Sequence, residues 1–330
     1  MLFRSTALDG AVFPFAADPA AGTSQFPLIQ ASRGDSLTLA QLTTKQVGSL
    51  SYQSLSRALS TSVEMSQGVA TTVRGTMTEP PSFVTRLRFR QAALEALGEG
   101  IHPGSVPTGA TIFLDASPGG RRVNLGTPDL AVVAGVPAGS GDQVLPLEYR
   151  NPYPASWPRF VVSAVSFQAP FLGVGDDGSP VPRQTASTVL SWELVEHDDV
   201  TIAPVISPVR DVQIDGEPAT DEIQDTTATP IVTWERPRRG WPAAYVVRIV
   251  RVVAQAPFTV RGIGRLVVAP DVHRVRIPAG VLQGGEHYYF QVVTVASSQP
   301  RGRGQLEILF VPPRAEVVDA LSTTIRIDSD

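Results

Sequence analysis

The chain is 330 residues long, 42% hydrophobic and 18% charged, so it carries enough apolar material for the cores of two or three domains, and long disorder is excluded. A net charge of −4 argues against a general nucleic-acid binder, and the absence of cysteine removes disulfides, thiolate zinc sites and thiol chemistry together. No apolar run approaches the roughly 18 residues that a membrane-crossing helix needs. The 28 glycines and 29 prolines are spread along the chain, as turn punctuation is in a many-stranded all-β protein.

Residues 1–80 are expected to form an N-terminal β domain. The start, MLFRSTALDG, has no basic stretch followed by an apolar one and reads as a strand entering a turn, so a leader or further sequence is expected upstream of Met1. In 35–44, Leu37 and Leu39 alternate and Leu42 follows after a slip; 63–81 gives two short β runs hinged at Gly68 and closed by Pro80-Pro81. A second domain is expected over 81–203. Val84, Leu87 and Phe89 mark a strand, and RQAALEAL is the one segment rich in strong helix formers, giving a single short helix near 90–98 that Gly98 and Gly100 stop. Strands resume after it, each ended by a Gly, Pro or Asp turn. Residues 197–208, proline-flanked with a charged start, read as an interdomain linker.

From 204 to 330 the pattern predicts seven strands, at 207–215, 230–237, 243–255, 258–269, 273–282, 286–297 and about 306–327, the last broken at Pro312-Pro313. Trp234 falls in the second strand. Tyr245, Val247 and Ile249 share one face of the third, and Leu282, Gly285 and Tyr288 lead into the sixth, followed by Phe290, Val292 and Thr294. On these residues the segment resembles a fibronectin type III domain, which implies an immunoglobulin-like sandwich with Trp234 in the core and Tyr288 as its tyrosine corner. The whole chain, through YRNPYPASWPRFVVSAVSFQAP at 149–170, also resembles exported, lipoprotein-type multi-β-domain proteins of myxobacteria. That likeness implies an extracellular or cell-envelope location more than an activity.

The motifs of catalysis do not assemble. The four histidines, His102, His197, His273 and His287, have no metal-pair spacing. His102 is expected at a helix C-terminus, where the dipole favours its cation, and His273 and His287 are expected to face solvent. GSLSYQS at 48–54 lacks the frame of a nucleophile elbow, and the glycine-rich runs lack phosphate-loop spacing. The acidic pairs Asp176-Asp177 and Asp198-Asp199, and Asp221, Glu222 and Asp225, offer oxygen ligands suited to calcium, but turns favour Asp for their own reasons. No enzyme, cofactor or metal is therefore expected.

Two places remain for binding. Tyr153 and Trp157, between prolines in NPYPASWPRF, offer rings on which a glycan could stack, as in a carbohydrate-binding accessory module. Arg236, Arg238, Arg239 and Trp241, in the RPRRGWP loop between the second and third strands, form the one compact basic and aromatic tip of the last segment. Arginines and acidic residues balance over 204–330, so no basic groove for nucleic acid is expected. The expected function is a non-catalytic structural, adhesive or protein-interaction role with a protein or cell-surface partner, the glycan module being the alternative.

Overall fold

The computed structural model describes residues 30–34, 36–66, 71–116, 129–174, 180–195, 197–220, 224–253, 259–297, 315–321 and 325–327. The expected N-terminal strand, Gly68, Asp176-Asp177, Asp221, Glu222 and the Pro312-Pro313 break lie outside them. The described chain is all-β, in mainly antiparallel sheets stacked as sandwiches.

β1 (Leu37–Val47) and β2 (Leu50–Thr61) form a hairpin around Gly48, whose φ of +60° suits its tight turn. The slip in the leucine alternation of β1 coincides with a β-bulge, where Gln41 pairs with Arg57 but Leu42 pairs with Leu55. β3 (Ser82–Phe89) buries Leu87 and Phe89. The helical segment differs from expectation: α1 (Gln91–Glu95) is followed by a separate turn, α2 (Gly98–Ile101). Gly98 opens that second turn instead of ending the first. A β-carbon there would stand 3.0 Å from the Phe167 ring, and one on Gly100 would stand 3.2 Å from Pro208, so both glycines permit close packing.

β4 (Val106–Ala116), β5 (Asp129–Val136), β6 (Gln143–Arg150), β7 (Arg159–Val174) and β8 (Pro180–Leu194) follow. The stretch read as a linker is instead ordered structure. β9 (Asp199–Ile202) pairs in parallel with β3, buries Val200 and Ile202 on alternate positions, and leads to the buried Ile206. Apolar alternation within DVTI outweighs the flanking prolines, which merely bound the strand.

The remaining strands are β10 (Arg210–Ile214), β11 (Glu217–Pro218), β12 (Gln224–Thr226), β13 (Ile231–Glu235), β14 (Ala244–Val253), β15 (Thr259–Val268), β16 (Arg274–Arg276), β17 (His287–Ser297), β18 (Ala315–Leu321) and β19 (Ile325–Ile327). They make one sheet in the order β11-β10-β13-β16 and contribute to a second, much larger one. That large sheet runs β1-β2-β5-β4-β7-β8-β18-β17-β14-β15, joining all three sequence segments through main-chain hydrogen bonds. The join between the last two segments is β18, which pairs with β17 along one side and with Leu190 and Ser191 of β8 on the other.

Three stacked cores follow from strand alternation. The first lies between β6-β3-β9 and one face of β4, β5 and β7, and includes Leu87, Tyr149, Leu114, Val165 and Phe167. The last lies between β10-β13-β16 and one face of β14 and β17, and includes Trp234, Tyr245, Val247, Phe290 and Val292. Between them, the opposite face of β7 and β8 (Phe160, Val162, Trp192) meets the opposite face of β14 and β17 (Ala244, Val246, Val293, Val295). The large sheet therefore folds back on itself across β8 and β18, and β7, β14 and β17 are buried on both faces.

Trp192→Ala should destabilise the full chain by about 3–5 kcal/mol, as a large-to-small change in a closed core. Urea unfolding measures it, and a loss near zero would mean that the middle core is not formed.

Candidate functional site

The candidate site is the end of the C-terminal sandwich where β13 leaves and β14 enters. The loop between them, 236–243, carries Arg236, Arg238, Arg239 and Trp241. All four are exposed, Trp241 to 81%. Beneath the tip, Trp234 meets the buried Tyr245 edge-on with ring centroids 5.3 Å apart, and Tyr245 in turn meets His273 at 5.8 Å.

The loop is fastened to its surroundings. The Ser207 N–H donates to the Arg239 carbonyl (3.1 Å), and the Arg239 N–H donates back to the Ser207 hydroxyl (3.2 Å). Arg210 Nε donates to the Arg236 carbonyl (3.1 Å) while its guanidinium pairs with Glu235 (2.8 Å). Arg236 Nε donates to His273 Nε2 (3.2 Å). Gly240 has a φ of +78°, and a β-carbon on it would lie 2.3 Å from the Val205 carbonyl oxygen, so this position accepts only glycine without rearrangement. Residues Val205–Ser207, at the end of the expected linker, are thus the seat on which the loop rests. Ser207 and Gly240 were not singled out from sequence; the available signal was a glycine wedged between arginines and Trp-Pro.

Tyr153 and Trp157 stand elsewhere, in the loop between β6 and β7. Their rings stack on each other, 5.0 Å apart and 6° from parallel. The loop is closed by the Asn151 side chain, which accepts from the Tyr153 N–H (2.9 Å), and by the Trp157 N–H donating to the Pro154 carbonyl (2.9 Å). Tyr153 also packs on the first core, and burial, helped by the charge of Asp115, pushes its phenol well above the usual range. These two aromatics are brought together, but not with the arginine loop.

The histidines sit differently from expectation. His273 and His287 are half-buried, because the first is engaged by Arg236 and Tyr245 and the second opens a strand against the core. His102 follows α2 and is buried. Its Nδ1–H donates to the Pro103 carbonyl (2.8 Å), which leaves Nε2 as a buried nitrogen without a partner. Burial lowers its pKa, so the neutral ring is favoured and not the cation expected beside a helix end. Asp199 is held by Arg88 in a two-point ion pair (3.0 and 2.8 Å), which draws its carboxyl below the ordinary range. Among the described residues, no three His, Asp or Glu side chains gather as a metal site.

Compared with protein-family models and with curated protein sequences, the chain matches none.

Gly240→Ala should lower stability by at least about 1 kcal/mol, since it combines a left-handed backbone with a clash against main chain. Thermal unfolding reads this, and an unchanged melting point would contradict the seated loop. His102 gives a pH dependence. Its folded pKa is lowered, so the unfolded chain binds more protons once pH falls below about 6.5, and stability should drop progressively below that value. Urea midpoints at pH 7.5 and 5 should differ less in His102→Gln than in the parent; equal differences would contradict this.

Proposed function

We propose that the chain is a non-catalytic module of the bacterial cell envelope or exterior, with a structural, adhesive or protein-interaction role and a C-terminal sandwich of the fibronectin type III kind. The strand orders support the fold part of this reading. β11-β10-β13-β16 faces β15-β14-β17-β18, an immunoglobulin-like division of strands with Trp234 between the sheets. The Tyr288 hydroxyl accepts from the Gln283 N–H at 3.0 Å, the contact expected of a tyrosine corner.

Trp241 carries the functional part. An indole 81% exposed on a loop tied down at Ser207, Arg210 and Gly240 is a preorganised anchor, which loses little freedom when a partner covers it. Arg238 and Arg239 frame it and favour a partner with an acidic rim, because charge around a binding patch steers encounter and sets specificity. The glycan alternative rested on Tyr153 and Trp157. Those rings stack on each other, both are half-buried and Tyr153 packs on the first core, whereas Trp241 is open, which favours the protein-partner reading.

An envelope extract of the producing organism, passed over the immobilised full chain, should leave a discrete protein bound. Trp241→Ala should lose that protein while keeping the parent's melting point, and Trp241→Phe should retain it in part. Equal capture by parent and Trp241→Ala would overturn the reading, as would binding to a glycan array abolished by Trp157→Ala.

A further inference from the structure

We infer that the outer edge of β15 takes up an extended acidic segment of a partner protein as an added antiparallel strand. This rests on the partner-binding reading above and gives it a second, separate surface. β15 spans Thr259–Val268 and ends the large sheet; among the described residues only β14 pairs with it. Its other side presents main-chain donors and acceptors over the length of a short peptide. The strand is also open in side-chain terms, with Val260 43% and Ile263 37% exposed and nothing within 4 Å of where a β-carbon on Gly262 would stand.

Charge decides the occupant. The β14–β15 ribbon contains no carboxylate, and its register sets Arg248 opposite Arg265 and Arg251 opposite Arg261. Like charges directly across a ladder disfavour each other, so Arg261 and Arg265, exposed on the edge strand, are the points where an incoming anion is favoured. Arg251 already has Glu286 as its ion-pair partner. Pairing skips Ile263, since Ile249 faces Gly264 and Val250 faces Gly262. That bulge sends Arg261 and Arg265 to opposite faces, so a strand with acidic residues on both of its faces meets both. A second copy of this chain is disfavoured as the occupant, because two β15 strands side by side bring four arginines to the seam and no carboxylate. The opposite end of the sheet is unlike this one: β1 has a single cation, Lys45, already paired with Glu148 at 3.1 Å.

Beside the edge lies a cleft of about 430 Å3 between β15 and the arm of β8, lined by Val260, Gly262, Val250, Thr185, Thr188 and Tyr289. Val260 and Gly262 of the edge strand line it together with Arg248 and Gln291, so one side chain of the guest strand lies beside it. The cleft gives the edge a means of selecting sequence in addition to charge.

The test uses the full chain and a fluorescein-labelled nine-residue peptide of Val and Thr carrying Glu at the positions opposite Arg261 and Arg265. Fluorescence anisotropy should show saturable binding that weakens with added salt. The double variant Arg261→Glu/Arg265→Glu, whose side chains are exposed, should weaken it by roughly tenfold or more. A peptide N-methylated along its pairing edge should not bind, and the bound parent peptide should slow amide exchange across 259–268. Trp241→Ala should leave peptide binding unchanged. No binding, equal binding of the N-methylated or a Lys-for-Glu peptide, or no protection in β15 would overturn strand addition. If the peptide fails while Trp241-dependent capture persists, only this inference falls; loss of that capture as well removes the reading beneath it.

Discussion

The rest of the structure depends on the burial of Phe160, Val162 and Trp192 against Ala244, Val246, Val293 and Val295. A sandwich of the C-terminal kind, standing alone, would show the outer face of β14 and β17 to water. Here that face is apolar and closed by the β7–β8 hairpin, while β18 carries the hydrogen-bond ladder across to β8. Apolar area removed from water on this scale stabilises in proportion to the area covered, at about 25 cal/mol per Å2. The two halves consequently share a core as well as a sheet.

That packing determines where function is free to sit. With 197–208 drawn into a strand and onto the first core, its end at Val205–Ser207 becomes a fixed seat for the 236–243 loop. The loop's arginines and Trp241 are therefore held at the junction of the two halves, and not on a tip set apart from the first half. The outer face of the C-terminal sheet is closed over most of its width, so its edge strand β15 and the cleft beside it are what that sheet offers a partner. A rigid body with a fixed aromatic anchor and an open strand edge suits recognition by preorganised surfaces, where little ordering cost falls on the receptor.

Much of the last segment was legible in the sequence. Period-two alternation gave Tyr245, Val247 and Ile249 as one buried face, Trp234 as core, and five of the seven strands within about three residues of those observed; the expected 273–282 strand is only Arg274–Arg276, and that at 306–327 is described only as β18 and β19. The bulge in β1 was visible as a slip in the leucine pattern. What escaped was the joining of segments. RFVVSAV and AYVVRIV are apolar on both faces, the mark of strands buried on both sides, but the partner covering a second face lies far away in the chain. Prolines around DVTI disguised β9, since proline punctuation looks the same at a strand boundary as in a linker. The arginine loop was legible as a cluster, but its fastening through Ser207 and Gly240 depends on contacts that no local spacing encodes. The β15 edge escaped for the same reason, because an edge is defined by which strands are not beside it.

The shared middle core is the claim on which the other conclusions rest, and differential scanning calorimetry of the full chain tests it most directly. One transition, with calorimetric and van't Hoff enthalpies in agreement, is the expected result for two halves that share a sheet and a core. Two resolved transitions, each assignable to one half, would contradict it and would return the C-terminal sandwich to the status of an independent domain.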